Sequence, residues 1–319
     1  MPAHKMPFNN QPNLDILGFL NKTSPLQTKN DLLGIRAPQY QSNSYQKVLQ
    51  FYGVHTDQSG DEFIGDCPFS PCREEGKSGK FTTNTQTGQF RCFVCGVKGN
   101  MHSFIQQLHR YYLARTTAAD YEKLRIRRSL AIDTWIMEEM QLALNGATNE
   151  WLIPAWSASS PEIGNLYAYK QSYDEKTAKP FMQILSGPTF KHTPYGIHRL
   201  RQGTNRPIWV LEGHWDYLAF GSLLRRLGEE PRFDYIASPG ADTFTKSYLG
   251  CFNGREVVIA YDNDVPGRNG VASLMNNMAH HSIMPQSISV VEWPSTLPDK
   301  FDVSDAIVKL PKEIGRAHV

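Results

Sequence analysis

The stretch VVIAYDNDVPGRNG, residues 257–270, decides the fold class, because an apolar run ends abruptly in two aspartates. The run EVVIAY at 256–261 is β-branched and aromatic and does not alternate with polar residues, which predicts a strand covered on both faces, as in a parallel sheet. Open α/β sheets bind ligands beyond the carboxyl ends of their strands, where Asp262 and Asp264 follow. A spacing of two residues lets both carboxylates point the same way.

The pair Asp262 and Asp264 is a candidate metal site. Two carboxylates held close together repel each other, and a divalent cation resolves that conflict. Magnesium prefers carboxylate oxygens together with water and substrate phosphate. Asp and Asn are also common turn formers, so the DND motif by itself fits a polar turn equally well.

Two further segments end an apolar run in acids. The run IWVL is followed by Glu212, and Asp216 stands at the start of the next helix-like stretch. The run SISVVEW precedes Asp302 and Asp305. These last two acids also suit capping of the helix AIVKL, and the two functions are compatible.

The acids are expected to meet at one edge of a sheet and to hold one or two magnesium ions. The inner ligands, which are also the candidate catalytic residues, are Glu212, Asp262 and Asp264. The outer ligands are Asp216, Asp302 and Asp305.

The order of these segments resembles the Toprim fold shared by DnaG-type primases, topoisomerases and some nucleases. YDNDVPGRNG is similar to the primase version, in which an aromatic residue precedes the first Asp and Gly-Arg follows the second. The third site departs from bacterial primases, which often have D-P-D. Here Asp302 and Asp305 stand in the sequence DVSD, which is closer to the phage and plasmid forms.

The cysteines predict a zinc ribbon. CPFSPC at 67–72 and CFVC at 92–95 are separated by nineteen residues. Two short pairs at this spacing are typical of a closed tetrahedral site made by four thiolates. Nothing marks the chain for secretion, which argues against disulfides. The expected ligands of one structural zinc are Cys67, Cys72, Cys92 and Cys95.

The zinc segment also resembles the primase family. FIGDCPF and QFRCFVCGVKGNMHSFIQQL are similar to the amino-terminal zinc domain of DnaG-like and phage primases. That family usually carries Cys or His where Ser70 stands, so Cys72 is assigned from spacing. Phe81, Phe90 and Phe93 lie along the ribbon and either stack on unpaired template bases or form its small core. A core position is the better interpretation for at least two of them.

Positive charge is concentrated before the Glu212 strand, although the net charge of the chain is only +2. Residues 176–206 hold six Lys or Arg and no acid, which suits binding of a template strand or nucleotide phosphates. A second basic stretch, 110–128, contains acids as well and favours a solvated helical face over a nucleic-acid contact. Arg268 either reaches a phosphate or pairs with an acid. The candidate nucleic-acid and nucleotide ligands are Lys170, Lys179, Lys191, Arg199, Arg201 and Arg268.

The order of motifs is the DnaG layout and implies an α/β chain (α+β overall). A small β-rich zinc ribbon, a helical connector and a primase core with a Toprim α/β sheet are expected to follow one another. SYQKVLQFYGV predicts a helix at the entry to the ribbon, and WLIPAW and GNLYAYKQSY predict two strands. The expected segments are a loosely ordered arm with one short helix at 1–43, a zinc-ribbon DNA-binding domain at 44–112, a helical connector at 113–150, a basic part of the core at 151–206, a Toprim module at 207–312 and a non-biological tail at 313–319.

The tail EIGRAHV is the in-frame translation of a widely used sequencing-adapter oligonucleotide that then runs into a stop codon. We therefore expect Glu313–Val319 to be non-biological and the natural chain to continue past Lys312. Related proteins carry a helicase or a helicase-binding region after the Toprim module.

The resemblance implies a DNA primase, a DNA-directed RNA polymerase that makes short RNA primers on single-stranded DNA by metal-dependent nucleotidyl transfer. It implies Mg²⁺ or Mn²⁺ and one structural Zn²⁺ as cofactors. The implied partners are a single-stranded DNA template, ribonucleoside triphosphates and a replicative helicase, fused or separate. The chain has no apolar run long enough for a membrane span. A cytoplasmic, nucleoid-associated protein is expected. Its origin is a phage, a plasmid or a chromosome, and the departures from the bacterial motifs favour a mobile element.

Two other classes of protein share these motifs. A Toprim-type nuclease uses the same acids to cut nucleic acid, but usually lacks a leading zinc ribbon. A non-catalytic single-stranded-DNA-binding protein of replication or recombination combines zinc with an incomplete set of Toprim acids. The presence of Glu212, Asp262 and Asp264 argues against that binding module.

Overall fold

The computed structural model describes residues 23–25, 45–69, 72, 79–156, 163–174, 179–185, 193–201, 203–238, 240, 241, 244 and 246–314. The described residues form three sheets with helices packed against them, and the chain is of the α/β class, as the sequence predicts. Within these residues, none of the helices is both long and apolar enough to cross a membrane. The predicted positions that fall outside them are Ser70, Lys191 and 315–319.

The regular elements are numbered along the chain. The strands are β1 (Thr23–Pro25), β2 (Thr56–Ser59), β3 (Glu62–Gly65), β4 (Phe81–Asn84), β5 (Phe90–Cys92), β6 (Lys98–Gly99), β7 (Ala143–Asn145), β8 (Glu150–Trp156), β9 (Ile163–Asp174), β10 (Lys179–Leu185), β11 (Ile208–Leu211), β12 (Asp234–Ala237), β13 (Glu256–Ala260) and β14 (Ser287–Val291). The α-helices are α1 (Tyr45–Phe51), α2 (Met101–Leu113), α3 (Ala118–Arg127), α4 (Thr134–Glu139), α5 (His214–Leu227), α6 (Val265–His280) and α7 (Val303–Ile314).

The cysteine-bearing region is an antiparallel sheet in which β2 to β6 pair in chain order. Phe81 and Phe90 point to the buried side, and Phe104 of α2 packs against both rings. Helix α2 begins at Asn100, whose side chain accepts from the Ser103 amide while Ser103 caps the Asn100 amide in return. This capping box fixes the start of the helix directly after β6.

The middle sheet is antiparallel in the order β10-β9-β8-β7. Strands β8 and β9 coincide with the predicted WLIPAW and GNLYAYKQSY strands. β7 was not expected, because its three residues lie inside the predicted helical connector at 113–150. Asn145 explains the strand locally, since its side chain accepts from the amides of Ala147 and Thr148 and closes a turn into β8.

Where the structure describes side chains of β8 and β9, both faces of the middle sheet are buried, and each belongs to a different core. Leu152 and Leu166 lie in the same apolar cluster as the ribbon residues around the cysteines. Trp151 and Tyr167 face the other cluster, which includes α5 and the parallel sheet. The middle sheet is therefore a shared layer between the ribbon and the rest of the chain.

The third sheet has the order β1-β14-β13-β11-β12, and β11 to β14 run parallel. Leu211 at the end of β11 lies beside Ala260 at the end of β13. The residues that follow these two strands therefore emerge side by side at the carboxyl edge. Helices α5 and α6 start directly from that edge.

Strand β1 pairs with β14 in antiparallel fashion at the edge of the third sheet. The sequence predicts a loosely ordered arm with a short helix over 1–43, whereas residues 23–25 form a strand; the other residues of the arm lie outside the described ones. Pairing with an open sheet edge uses only backbone groups, so composition gives no signal for it.

Candidate catalytic and zinc sites

The four cysteines of the ribbon converge on one point. Cys67 follows β3, Cys92 ends β5, and Cys95 lies in the turn after β5, where Gly96 has a φ of 75°. Cys72, which lies between β3 and β4 in the chain, joins them. Among the described His, Cys, Asp and Glu residues, this is the set whose ligand atoms all lie within 4.8 Å of one another.

The spacing of the sulfur atoms fits zinc. Cys67 Sγ and Cys95 Sγ are 3.8 Å apart, and Cys72 Sγ and Cys92 Sγ are 3.6 Å apart. In a tetrahedral site with Zn–S bonds of about 2.3 Å, sulfur atoms lie about 3.8 Å from each other. The cluster therefore supports a structural zinc, and it includes Cys72, which the sequence assigned from spacing alone.

Backbone hydrogen bonds favour the thiolate form of Cys92, which is the form that binds zinc. Burial works against its thiolate, but backbone amides of Cys95 and Val94 donate to its sulfur and lower its pKa to about 7. Burial raises the pKa of Cys72 to about 11. A zinc ion requires deprotonated thiols, so ligation would release protons from the buried members of the cluster.

The ribbon aromatics divide as the sequence analysis expected. Phe81 and Phe90 are buried and stacked on each other. Phe93 is 60% exposed, and the Arg91 guanidinium lies 4.8 Å from its ring centroid. Lys98 is paired with Arg91 across β5 and β6 and is also exposed. This outer face combines an aromatic ring with two cations.

Glu212 and Asp262 meet at the carboxyl edge of the parallel sheet. They follow the neighbouring strands β11 and β13, and the Asp262 amide donates to Glu212 Oε2 at 3.1 Å. Gly267 lies against the backbone of Asp262, since a Cβ at that position would be 2.3 Å from the Asp262 carbonyl oxygen. The glycine of the Gly-Arg pair is therefore required sterically, because a side chain at 267 would clash with the Asp262 backbone.

Asp264 is the N-cap of α6. Its Oδ1 accepts from the Gly267 amide at 2.7 Å, and Pro266 occupies the first turn. Capping uses one carboxylate oxygen, so the other remains for a second partner. The turn-forming interpretation and the metal-ligand interpretation of DND are therefore compatible at this residue.

Two of the outer acids accept hydrogen bonds at the start of α7, and the third forms an ion pair within that helix. Asp216, in the first turn of α5, is buried and accepts from both the amide and the hydroxyl of Ser304. Asp302 accepts from the Asp305 amide at 2.6 Å and so caps α7, as the alternative interpretation predicts. Asp305 pairs with Lys309 at 2.7 Å.

The acids strongly disfavour each other's charge. Burial, then the charges of Asp216 and Glu212, raise the pKa of Asp262 to about 9. Burial, then Asp216, raise the pKa of Asp302 to about 8, and burial raises that of Glu212 to about 7. Carboxylates concentrated in this way suit a divalent cation, which would stabilise their ionised forms.

The structure does not bring Arg199 and Arg201 to these acids. Arg199 pairs with Glu139 at 2.7 Å, and Arg201 donates to the Pro231 carbonyl. Both contacts lie near the start of β12, at the amino edge of the parallel sheet, whereas the acids lie at the carboxyl edge.

Three other candidate cations lie in described elements. Lys170 lies in β9 and Lys179 in β10. Arg268 is exposed in the first turn of α6, one turn from Asp264.

Sequence reasoning missed one charged residue near the acids. Arg128 directly follows α3, and its guanidinium lies 4.7 Å from the ring centroid of Trp215. Trp215 lies in the first turn of α5, so this contact joins the connector to a helix that begins at the acidic edge. Arg128 ends the basic stretch 110–128, for which the sequence favoured a solvated helical face, whereas its guanidinium packs on Trp215.

Two family models match the chain. Residues 40–133 match the family described as CHC2 zinc finger, and residues 209–307 match the family described as Toprim-like. The first match contains the cysteine cluster, and the second contains the acids of the parallel sheet. The chain thus combines a region similar to a CHC2 zinc ribbon with a Toprim-like region. Together the two matches support a DnaG-type primase.

A search of curated proteins gave no match. Among solved structures, the primase fragment of the bacteriophage T7 primase-helicase protein is 16% identical, covers 80% of this chain and 98% of its own, and has a TM-score of 0.40. A DNA primase domain from Pseudomonas aeruginosa is 13% identical, covers 68% of this chain and 77% of its own, and has a TM-score of 0.47. A bacteriophage T7 lagging-strand DNA polymerase complex with primase domains, bound to an RNA/DNA hybrid and dTTP, is 14% identical over 58% of this chain and 87% of the matched chain, with a TM-score of 0.39.

Proposed function

We propose that this chain is a DNA primase that synthesises short RNA primers on single-stranded DNA by metal-dependent nucleotidyl transfer. The matched families support a primase function in general. The observation that carries the proposal is the meeting of Glu212 and Asp262 at the carboxyl edge of a parallel sheet, in the same chain as a four-cysteine cluster.

The acids are proposed to bind Mg²⁺ or Mn²⁺. Glu212, Asp262 and Asp264 would hold the ion, and Asp216, Asp302 and Asp305 would act as outer ligands. A bound metal would offset negative charge on the nucleotide phosphates, which favours attack of a 3′-hydroxyl on the α-phosphate with cleavage of the α–β bond and release of pyrophosphate. The protein keeps carboxylate oxygens at the sheet edge, where helix caps orient them. Because the 3′-hydroxyl is the attacking group, no protein nucleophile is required.

The ribbon, in segment 44–112, is proposed to hold the template. The exposed ring of Phe93 with Arg91 and Lys98 beside it suits an unpaired base and its phosphate. Lys170, Lys179, Lys191 and Arg268 remain proposed ligands of template or triphosphate. The positions of Arg199 and Arg201 at the opposite sheet edge do not favour that function for them.

The catalytic module is proposed to occupy 207–312, with single-stranded DNA and ribonucleoside triphosphates as substrates. A replicative helicase, fused or separate, is the proposed protein partner, on the basis of the primase resemblance alone.

A single gel tests the proposal. The full chain is incubated with labelled ribonucleotides, labelled single-stranded DNA and Mg²⁺ or Mn²⁺, beside the variants Asp262→Asn and Asp299→Asn. Asp299 is an exposed acid of the same region, so its substitution controls for loss of one negative charge. We expect new short oligomers with the wild type and Asp299→Asn, and none with Asp262→Asn.

Other results identify the rival classes. Shortening of the labelled DNA that depends on Asp262 would indicate a nuclease. Bound but unchanged DNA in every lane would indicate a non-catalytic binding protein. Full synthesis by Asp262→Asn, with its zinc content unchanged, would overturn the assignment of the acids.

A further inference from the structure

We propose that His214 is a positioning residue of the carboxyl edge of the parallel sheet. Its hydrogen bond to Tyr169 fixes the first turn of α5 and thereby the place of Glu212, two residues earlier. The inference rests on the metal site proposed above. His214 is not one of the candidate ligands, although it stands between two of them, Glu212 and Asp216.

Helix α5 begins differently from the other two helices that start at this edge. Helix α6 is capped by the side chain of Asp264, and α7 is capped by that of Asp302. The N-cap of α5 is Gly213, which has no side chain to accept from the free amides of the first turn. The start of α5 therefore needs another anchor.

A capping side chain at 213 would disturb the neighbouring acid. A Cβ at Gly213 would be 3.3 Å from Asp216 Oδ2, closer than most Cβ contacts. Asp216 Oδ1 accepts from both the amide and the hydroxyl of Ser304, so the carboxylate is not free to move aside. The glycine makes room for Asp216 and leaves the helix without a side-chain cap.

The side chain of His214 supplies the anchor. It is fully buried, and its Nδ1 lies 2.5 Å from the hydroxyl of Tyr169 in β9. Tyr169 is fully buried as well, so this hydrogen bond is shielded from water. The bond joins the first residue of α5 to the middle sheet.

Two further tyrosine rings hold the imidazole in place. The ring centroids of Tyr167 and Tyr195 lie 4.6 Å and 4.9 Å from that of His214. The Tyr195 amide donates to the carbonyl of Ala237, at the carboxyl end of β12. The imidazole is thus packed between the middle sheet and the carboxyl edge of the parallel sheet, so a shift of the ring would move the turn 212–216 with it.

The position of Glu212 depends on this turn. Only Gly213 separates Glu212 from His214, and Glu212 Oε2 accepts from the amide of Asp262. Groups that bind a metal ion must be held within about 0.5 Å of the productive geometry. Loss of the bond to Tyr169 is therefore expected to loosen the contact between the two acids without unfolding the chain.

Metal binding by Tyr169→Phe tests the proposal, because this change removes only the hydroxyl. Mn²⁺ is titrated calorimetrically into the zinc-loaded full chain, and thermal unfolding is recorded on the same samples. We expect Mn²⁺ to bind about tenfold more weakly than to the wild type, the lower end of the range for residues that orient metal ligands.

The matched control is Tyr121→Phe. Tyr121 is also buried, and its hydroxyl donates to the Leu142 carbonyl. The control removes one buried hydrogen bond, as Tyr169→Phe does, and should lower the unfolding temperature to a similar extent. It should nevertheless bind Mn²⁺ as the wild type does.

Two variants of the same shape separate hydrogen bonding from packing. Asn and Leu side chains have the same branching and similar size, but only Asn presents a polar atom near the position of Nδ1. His214→Asn should therefore bind Mn²⁺ more tightly than His214→Leu, and the difference should disappear when Tyr169→Phe is also present. Equal affinities of the two single variants would show that His214 acts by packing alone.

The outcomes distinguish the two proposals. If Tyr169→Phe binds Mn²⁺ as tightly as Tyr121→Phe, while Asp262→Asn weakens binding, the positioning function is wrong and the metal site stands. If the wild type and Asp262→Asn bind Mn²⁺ equally, the metal site itself is wrong and the positioning function falls with it.

Discussion

The cysteine cluster and the acidic edge are organised in opposite ways. Among the described residues, the cysteine sulfurs are already within ligand distance of one another, whereas the acids do not form such a group. The thiols are placed by short antiparallel strands and their turns. The carboxylates are placed by helix N-termini. At Asp264 and at Asp302, one carboxylate oxygen accepts a hydrogen bond from a backbone amide of the first helical turn.

The difference teaches how the two metals would be used. A site closed by four preformed thiolates suits an ion that stays and stabilises the fold. An open set of mutually repelling carboxylates suits an ion that arrives with phosphate-bearing substrate and supplies part of the missing coordination. Each prediction below perturbs one side of this comparison.

The largest effect is expected from Cys92→Ser. Cys92 is fully buried, and its loss opens a closed site, so we expect bound zinc to fall from one ion per chain to none and the ribbon to unfold. Metal analysis together with hydrogen exchange of the ribbon amides measures both. Cys251→Ser is the control, because Cys251 is not a member of the cluster; a zinc-free but fully protected ribbon in Cys92→Ser would contradict the prediction.

An intermediate effect is expected from the pH dependence of the acidic edge. The pKa of Asp262 rises from 3.8 to about 9 on folding without metal, so the folded state binds the extra proton between these values. Its contribution to the free energy of unfolding is therefore present at low pH and is lost as pH rises through this range. Relative to Asp262→Asn, the wild type should lose on the order of 2 kcal/mol between about pH 5 and about pH 8.5.

Urea unfolding of both zinc-loaded proteins in magnesium-free buffer measures this difference. Added Mg²⁺ should remove most of the loss in the wild type and leave Asp262→Asn little changed. Identical pH profiles for the two proteins would show that protonation of Asp262 does not contribute to the pH dependence of the free energy of unfolding.

The smallest effect is expected from Phe93→Ala. Removing a ring that stacks on one base should weaken binding of single-stranded DNA by about 1 kcal/mol, without loss of zinc. Fluorescence anisotropy with a labelled oligonucleotide measures it. Met284→Ala is the control, since Met284 is also an exposed apolar side chain but lies far along the chain from the ribbon; equal affinities of the two variants would remove Phe93 from the template surface.

Local patterns in the sequence were enough for much of the fold. The strand before Asp262, the strand before Glu212 and the four cysteines each have a signature within a few residues. Their meeting also follows from a general rule, because neighbouring parallel strands end at the same edge of a sheet.

Features that depend on tertiary placement were not predictable. Nearness in sequence to the Glu212 strand suggested that Arg199 and Arg201 lie beside the acids. A strand of four residues spans about 13 Å, so residues before and after β11 lie at opposite edges. Arg128 and β1 were missed for a related reason, since each meets its partner only after distant segments have packed together.

The burial of both faces of the middle sheet has a consequence for how the molecule can be divided. Leu152 and Leu166 are covered by the ribbon side, and Trp151 and Tyr167 by the side of the parallel sheet. Tyr52 of the ribbon also donates to the Leu166 carbonyl. A fragment lacking the ribbon would expose the apolar side chains of one face of β8 and β9 to water, so the ribbon and the parallel-sheet region are expected to be stable only together.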